Sequence, residues 1–100
     1  MKNKYDIHKE FCENIHETHL NKDHDYGSAY SKVRKEEGAV TFLVHAKEKI
    51  CRLDALIHGE TPRVEETIED SLIDLAGYCI MELTERKWEK MHYEPIESER

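Results

Sequence analysis

The chain has 100 residues, 38% hydrophobic and 37% charged, with a formal net charge of −7 at pH 7. That length specifies one domain with a modest core. The acidic balance argues against a duplex DNA binder, which carries a basic face. No apolar run is long enough for a membrane span, and the start, MKNKYDIHKE, lacks the apolar stretch of a signal peptide. The expected address is cytoplasmic. Cys12, Cys51 and Cys79 are odd in number and form no CxxC pair, which disfavours a disulfide scaffold or a thiolate zinc site.

In chain order, Asp6 caps a first helix predicted to run to about Asn21, with Ile7, Phe11 and Ile15 as its apolar stripe. The stretch 21–27, NKDHDYG, reads as a turn. Ser28 caps a short helix over Ala29 to Glu37, which Gly38 ends. Ala39 to His58 reads as a long helix in which Leu43, Ala46, Ile50, Leu53 and Ile57 repeat at bundle-seam spacing. A last long helix is expected from Val64 to about Met91, with Thr61 as N-cap and Pro62 at the first helical position. Its main stripe is Ile68, Leu72, Leu75, Cys79 and Leu83; a second is Ile73, Ala76 and Ile80. The polar segment 92–100 is expected to be a flexible tail. Together these predict a single all-α domain, a compact bundle of three long helices and one short one. Apolar residues on nearly half of the last helix imply a homo-oligomer joined through it, and Gly77 in its interior points to close approach of another backbone.

Four groups of residues can carry chemistry. Glu66, Asp70 and Asp74 stand four apart and share a helix face between the two stripes. They either hold Mg²⁺, which takes oxygen ligands, or pair with internal cations. His45, Lys49 and Arg52 form a basic ridge beside the seam, and can serve either as an ion-pair network or as a phosphate clamp. In the segment Tyr26, Gly27, Ser28 and Tyr30, a turn and a helix start offer backbone N–H groups to an anion, two rings can stack on a base, and Lys22, Lys32 and Arg34 can reach phosphates. The alternative there is a solvated turn and helix. His8, Cys12, His16 and His19 fall on adjacent rungs of the first helix, with Cys12 and His16 four apart as a zinc pair would be, but no second ligand cluster accompanies them.

Asn21, the run Asp25-Tyr26-Gly27, Lys49-x-x-Arg52 and Glu69-Asp70-Ser71-Leu72-Ile73-Asp74-Leu75, with Tyr78 one turn on, resemble the phage and bacterial "nucleotide modification associated" small-domain family over about residues 7 to 83. That family in turn looks like the all-α NTP pyrophosphatases, the MazG-like proteins. These are oligomeric helical bundles that bind nucleotides between helices and hold Mg²⁺ with an ExxE and an ExxD. Here the ExxD position reads Ser71-x-x-Asp74, and Lys49-x-x-Arg52 stands where ExxE is expected. Exchange of metal-ligand acids for cations removes charge that Mg²⁺ needs and adds charge that phosphate wants. The resemblance therefore implies a small phage-type protein that binds, and sequesters, a nucleotide or nucleotide-derived signal, as an anti-defence sponge would, without hydrolysing it and with no cofactor. The candidate ligand residues are Lys49, Arg52, His45, Tyr26, Gly27, Ser28, Tyr30, Asp70 and Asp74, and the expected partners are a nucleotide-like small molecule and further copies of the chain. One alternative is a Mg²⁺-dependent nucleotide pyrophosphohydrolase using Glu66, Asp70 and Asp74. Another is a protein-binding helical module using Ile73, Ala76 and Ile80.

Overall fold

A computed structural model describes residues 1–92, and among them the fold is all-α, with no strand. Four helices follow one another: α1 Lys4–Tyr26, α2 Ala29–Glu37, α3 Val40–Ile57 and α4 Ile68–His92. Beyond His92, the expected tail lies outside the described residues.

Two helix starts differ from the sequence reading, for one reason. Each is fixed by a reciprocal capping box. At α1, the Asn3 side chain accepts from the Asp6 amide at 2.9 Å, and the Asn3 amide donates to Asp6 Oδ2 at 3.0 Å. Asp6 thus closes the box from inside the helix. At α4, the Thr67 amide donates to Asp70 Oδ2 at 2.9 Å, and the Asp70 amide donates to Thr67 Oγ1 at 3.1 Å. The helix therefore begins at Ile68, and 58–67 is a connection without helix. The Thr61-Pro62 pair lies inside that connection and caps nothing.

The expected turn at 21–27 is also corrected. α1 runs through its Asn and Asp residues to Tyr26 and stops at Gly27, which takes a left-handed backbone (φ 60°). Ser28 follows it into the same region (φ 60°), where a side chain is strained. Its hydroxyl donates to Asp23 Oδ2 at 2.9 Å rather than receiving an amide of α2, so Ser28 stands at the start of α2 without capping it.

α3 and α4 pack antiparallel as the most extensive pair, and α1 lies against α4. The last three turns of α4 are tied to α2 by charge. The Arg34 guanidinium forks onto Glu82, Nε to Oε1 at 3.2 Å and Nη2 to Oε2 at 3.0 Å. Glu82 also accepts from Arg86 Nε at 2.8 Å and from the Tyr30 hydroxyl at 3.3 Å. Arg34 bonds Glu89 as well, and Ser31 bonds Glu85. Arg34 is therefore a buried staple of the fold, not the phosphate ligand that the sequence allowed.

The apolar core of the single chain is small. Leu53 is the one buried hydrophobic residue among those described. The seam residues Leu43, Ile50 and Ile57 of α3 are half exposed, as are Leu72 and Leu83 of the main α4 stripe. The second α4 stripe is split: Ile80 is as exposed as Leu72, whereas Ile73 turns toward α1. Gly77 sits on that side too, where an added Cβ would meet Ile15 Cγ2 at 3.9 Å, an ordinary contact. Its packing neighbour is thus α1 of the same chain. The Cα radius of gyration is 16.8 Å, against about 13 Å for a compact domain of this length.

Candidate functional site

α1, the first half of α2, and one side of the α3–α4 pair line a half-open cavity of about 380 Å³. Its wall is mainly apolar, with Ile15 from α1, Val33 from α2, and Ile73 and Met81 from α4. Five rings line it, His19, Tyr26, Tyr30, His45 and Tyr78, and the last three cluster. His45 of α3 and Tyr78 of α4 stack at 4.4 Å between centroids and 10° between planes. Tyr30 of α2 stands 6.1 Å from His45 and 6.0 Å from Tyr78. The Tyr30 ring is fixed by its hydroxyl bond to Glu82, and burial together with that carboxylate pushes its pKa up to about 12. Burial also raises the Tyr78 phenol. Both rings stay neutral at physiological pH and present uncharged faces to the cavity.

An alternating chain of charges runs back from Lys22 and Asp74 on the polar side of the cavity. Lys22 of α1 stands 4.0 Å from Asp74 Oδ1, and Asp74 Oδ2 is 3.1 Å from Lys49 Nζ. Lys49 continues to Glu66 Oε1 at 3.3 Å, and Glu66 Oε2 lies 3.6 Å from Arg52 Nε. Arg52 also donates to the Glu66 carbonyl, and Ser71 Oγ, fully buried, donates to Glu66 Oε1 at 3.5 Å. Burial pulls the Lys49 ammonium down, but Asp74 and Glu66 outweigh it and hold its pKa above the ordinary lysine value. Lys49 is thus a fixed cation between two carboxylates. Lys22 is different: its side chain is 59% exposed and its single carboxylate contact is long, which leaves ammonium donors unused at the cavity wall.

Of the residues singled out from sequence for chemistry, His19, Lys22, Tyr26, Tyr30, His45 and Asp74 line the cavity, and the others do not. Lys49 lies one contact behind it through Asp74, and Arg52 a further contact behind through Glu66. Gly27 and Ser28 form the elbow between α1 and α2 outside the wall. Asp70 is exposed and committed to the α4 cap, where the Thr67 amide holds its carboxyl below the usual range. The row Glu66, Asp70 and Asp74 is therefore broken: Asp70 caps α4, whereas Glu66, which precedes the helix, and Asp74 both reach Lys49. Among the described residues no three His, Cys, Asp or Glu side chains converge on a point. In the first helix, Cys12 Sγ approaches His8 Nδ1 at 3.9 Å, while His19 turns to the cavity.

Sequence reasoning missed Thr18, His19, Asp23 and Gly77 as wall residues, and weighed Lys22 only as a general phosphate contact. Lys22 had a local signal: it falls four before Tyr26 and seven after Ile15, both on the wall, so it shares their face of a continuous helix. That pattern is visible only once α1 is extended past Asn21.

Among curated proteins, the beta subunit of phenylalanine–tRNA ligase from Methanocorpusculum labreanum is similar to this chain, 31% identical over 55 residues. The match takes in 55% of the chain but 10% of that protein, so the chain spans about a tenth of its length. No solved structure matches the chain. The family described as nucleotide modification associated domain 1 matches residues 22–85, a range that holds Lys22, the clustered rings of Tyr30, His45 and Tyr78 and the complete charge chain, and the protein belongs to that family.

Proposed function

We propose that the protein binds a mononucleotide-sized anion in the α1–α4 cavity and retains it without hydrolysis. The observation that carries this reading is the juxtaposition of Tyr30, His45 and Tyr78 with the underused Lys22 ammonium across one cavity of about 380 Å³. Sites for small molecules span about 300–1,000 Å³, so this cavity suits one nucleotide and is tight for two. A base fits the aromatic and apolar wall, where each stacked base contributes about 1–3 kcal/mol. A phosphate fits the Lys22 end, with Asp74 and Lys49 holding that wall in place. The family's description also associates it with nucleotide modification. Retention is favoured over turnover because the acids that a metal-assisted reaction would use are already engaged: Asp70 in the cap, and Glu66 and Asp74 on Lys49.

Calorimetric titration with mono-, di- and cyclic nucleotides tests the reading. A mononucleotide is expected to bind one per chain, and Lys22→Ala and His45→Ala are each expected to weaken it by about tenfold or more. Absence of heat from every nucleotide with folded protein would overturn the binding claim. Phosphate or pyrophosphate release that depends on Mg²⁺ and disappears in Asp74→Ala would overturn the claim of retention.

A further inference from the structure

We infer that the open side of the α3–α4 pair is a self-association surface, and that a second copy of this chain covers it in a two-fold four-helix bundle. Leu43, Ile50 and Ile57 recur every seven residues on α3, and Leu72, Cys79 and Leu83 follow at seven and four on α4. All six are exposed. At about 100° per residue, Leu72 lies some 140° around α4 from Gly77, which faces α1. Ile50 lies about 140° around α3 from the cavity residue His45. Antiparallel helices wind in opposite senses when viewed along one direction, so both stripes emerge on the same side of the pair, away from α1 and the cavity. The result is a double seam with bundle spacing and no partner within the chain.

The exposed area, which the seam shares with the face of α1, is sufficient for a second copy. A compact monomer of 11.9 kDa exposes about 5,900 Å² by size scaling, and this chain exposes 8511 Å². Even fully extended, residues 93–100 would account for at most ~1,400 Å². More than about 1,000 Å² of excess remains, above the ~800 Å² per partner of a standard interface. A single buried hydrophobic residue is also a scant core for a folded domain. A helical pair with its seam exposed is self-complementary under a two-fold axis, so one identical hairpin supplies what the face lacks.

The test is mass in solution and thiol protection on the intact chain. Sedimentation equilibrium at about 100 µM is expected to give twice the chain mass. Leu72→Glu, which would bury unpaired charge in the seam, is expected to weaken association about a hundredfold. Phe11→Glu, on the equally exposed apolar face of α1, is expected to leave the pair intact. In the unmodified protein, Cys79 should be alkylated more slowly than Cys12, and dilution should remove the difference, a readout that needs no variant to fold. A single-chain mass, a closed assembly larger than a pair, dissociation by Phe11→Glu instead of Leu72→Glu, or equal reactivity of the two thiols at high concentration would overturn the inference.

Discussion

The molecule contains two charge networks of opposite character, both passing through α4. At its C-terminal half, Arg34 and Glu82 keep only 10% of their side chains exposed, and Glu82 accepts from the Arg34 fork, Tyr30 and Arg86. At the N-terminal half, the chain from Lys22 to Arg52 is partly solvated, has longer contacts, and leaves donors free at the cavity. A closed network can fix geometry but can accept nothing more. An open one gives up some stability and keeps capacity for a guest.

Glu82→Gln should give the largest effect. It leaves the buried Arg34 charge poorly paired and is expected to cost about 3 kcal/mol in urea unfolding at neutral pH. The Arg34 bonds hold the Glu82 carboxyl below its ordinary value of 4.5. Its contribution is therefore complete above about pH 4.5 and is lost as pH falls through the depressed folded-state value. The gap between wild type and Glu82→Gln should accordingly narrow in acid. A gap independent of pH would mean that the two networks differ in packing rather than in charge.

Lys49→Met should cost less, about 1–2 kcal/mol, because Asp74 keeps Lys22 and Glu66 keeps Arg52. Its nucleotide titration should nevertheless suffer more than that of Glu82→Gln measured where both are folded. The reverse order would dissolve the distinction between closed and open networks. Thr67→Ala removes the hydroxyl half of the α4 capping box and should cost about 1 kcal/mol, read as a fall in thermal midpoint, with the α2–α4 staple untouched. The smallest and most pointed change is Gly77→Ala. Helix propensity favours it by up to ~1 kcal/mol, and the new methyl group meets only Ile15 at ordinary distance. The variant should therefore be slightly more stable and yet bind nucleotide less well, since the methyl group projects from the cavity wall.

The helices were legible because periodicity is local. α3 lies within one residue of its expected ends at both termini. The errors came where two signals competed. Thr61-Pro62 resembles a helix start, but Thr67-x-x-Asp70 is the stronger one because it satisfies two backbone amides at once. Asn21 to Asp25 resemble a turn, but their neighbours keep α1 helical until Gly27 supplies a left-handed stop. At the site, the pairing of Lys49 with Asp74 followed from facing helical ridges, but Arg52 meets Glu66 of the connection rather than Asp70. Tyr30 and His45 were read as ligand candidates, but the convergence of Lys22, His19 and Tyr78 on them could not be, because it depends on where α1 and α2 dock, and docking leaves no mark in local spacing. Arg34 and Glu82, 48 residues apart, were hidden for the same reason.

α1 supplies one whole wall of the cavity, from Ile15 to Tyr26, yet none of its residues is buried. A helix so lightly held opens at low free energy. A guest that needs that wall binds only the closed arrangement, so occupancy and the seating of α1 become one equilibrium. Amide exchange along residues 15–26 should then slow in proportion to ligand concentration while the α2–α4 staple exchanges as before, making this helix the gauge of whether the cavity is filled.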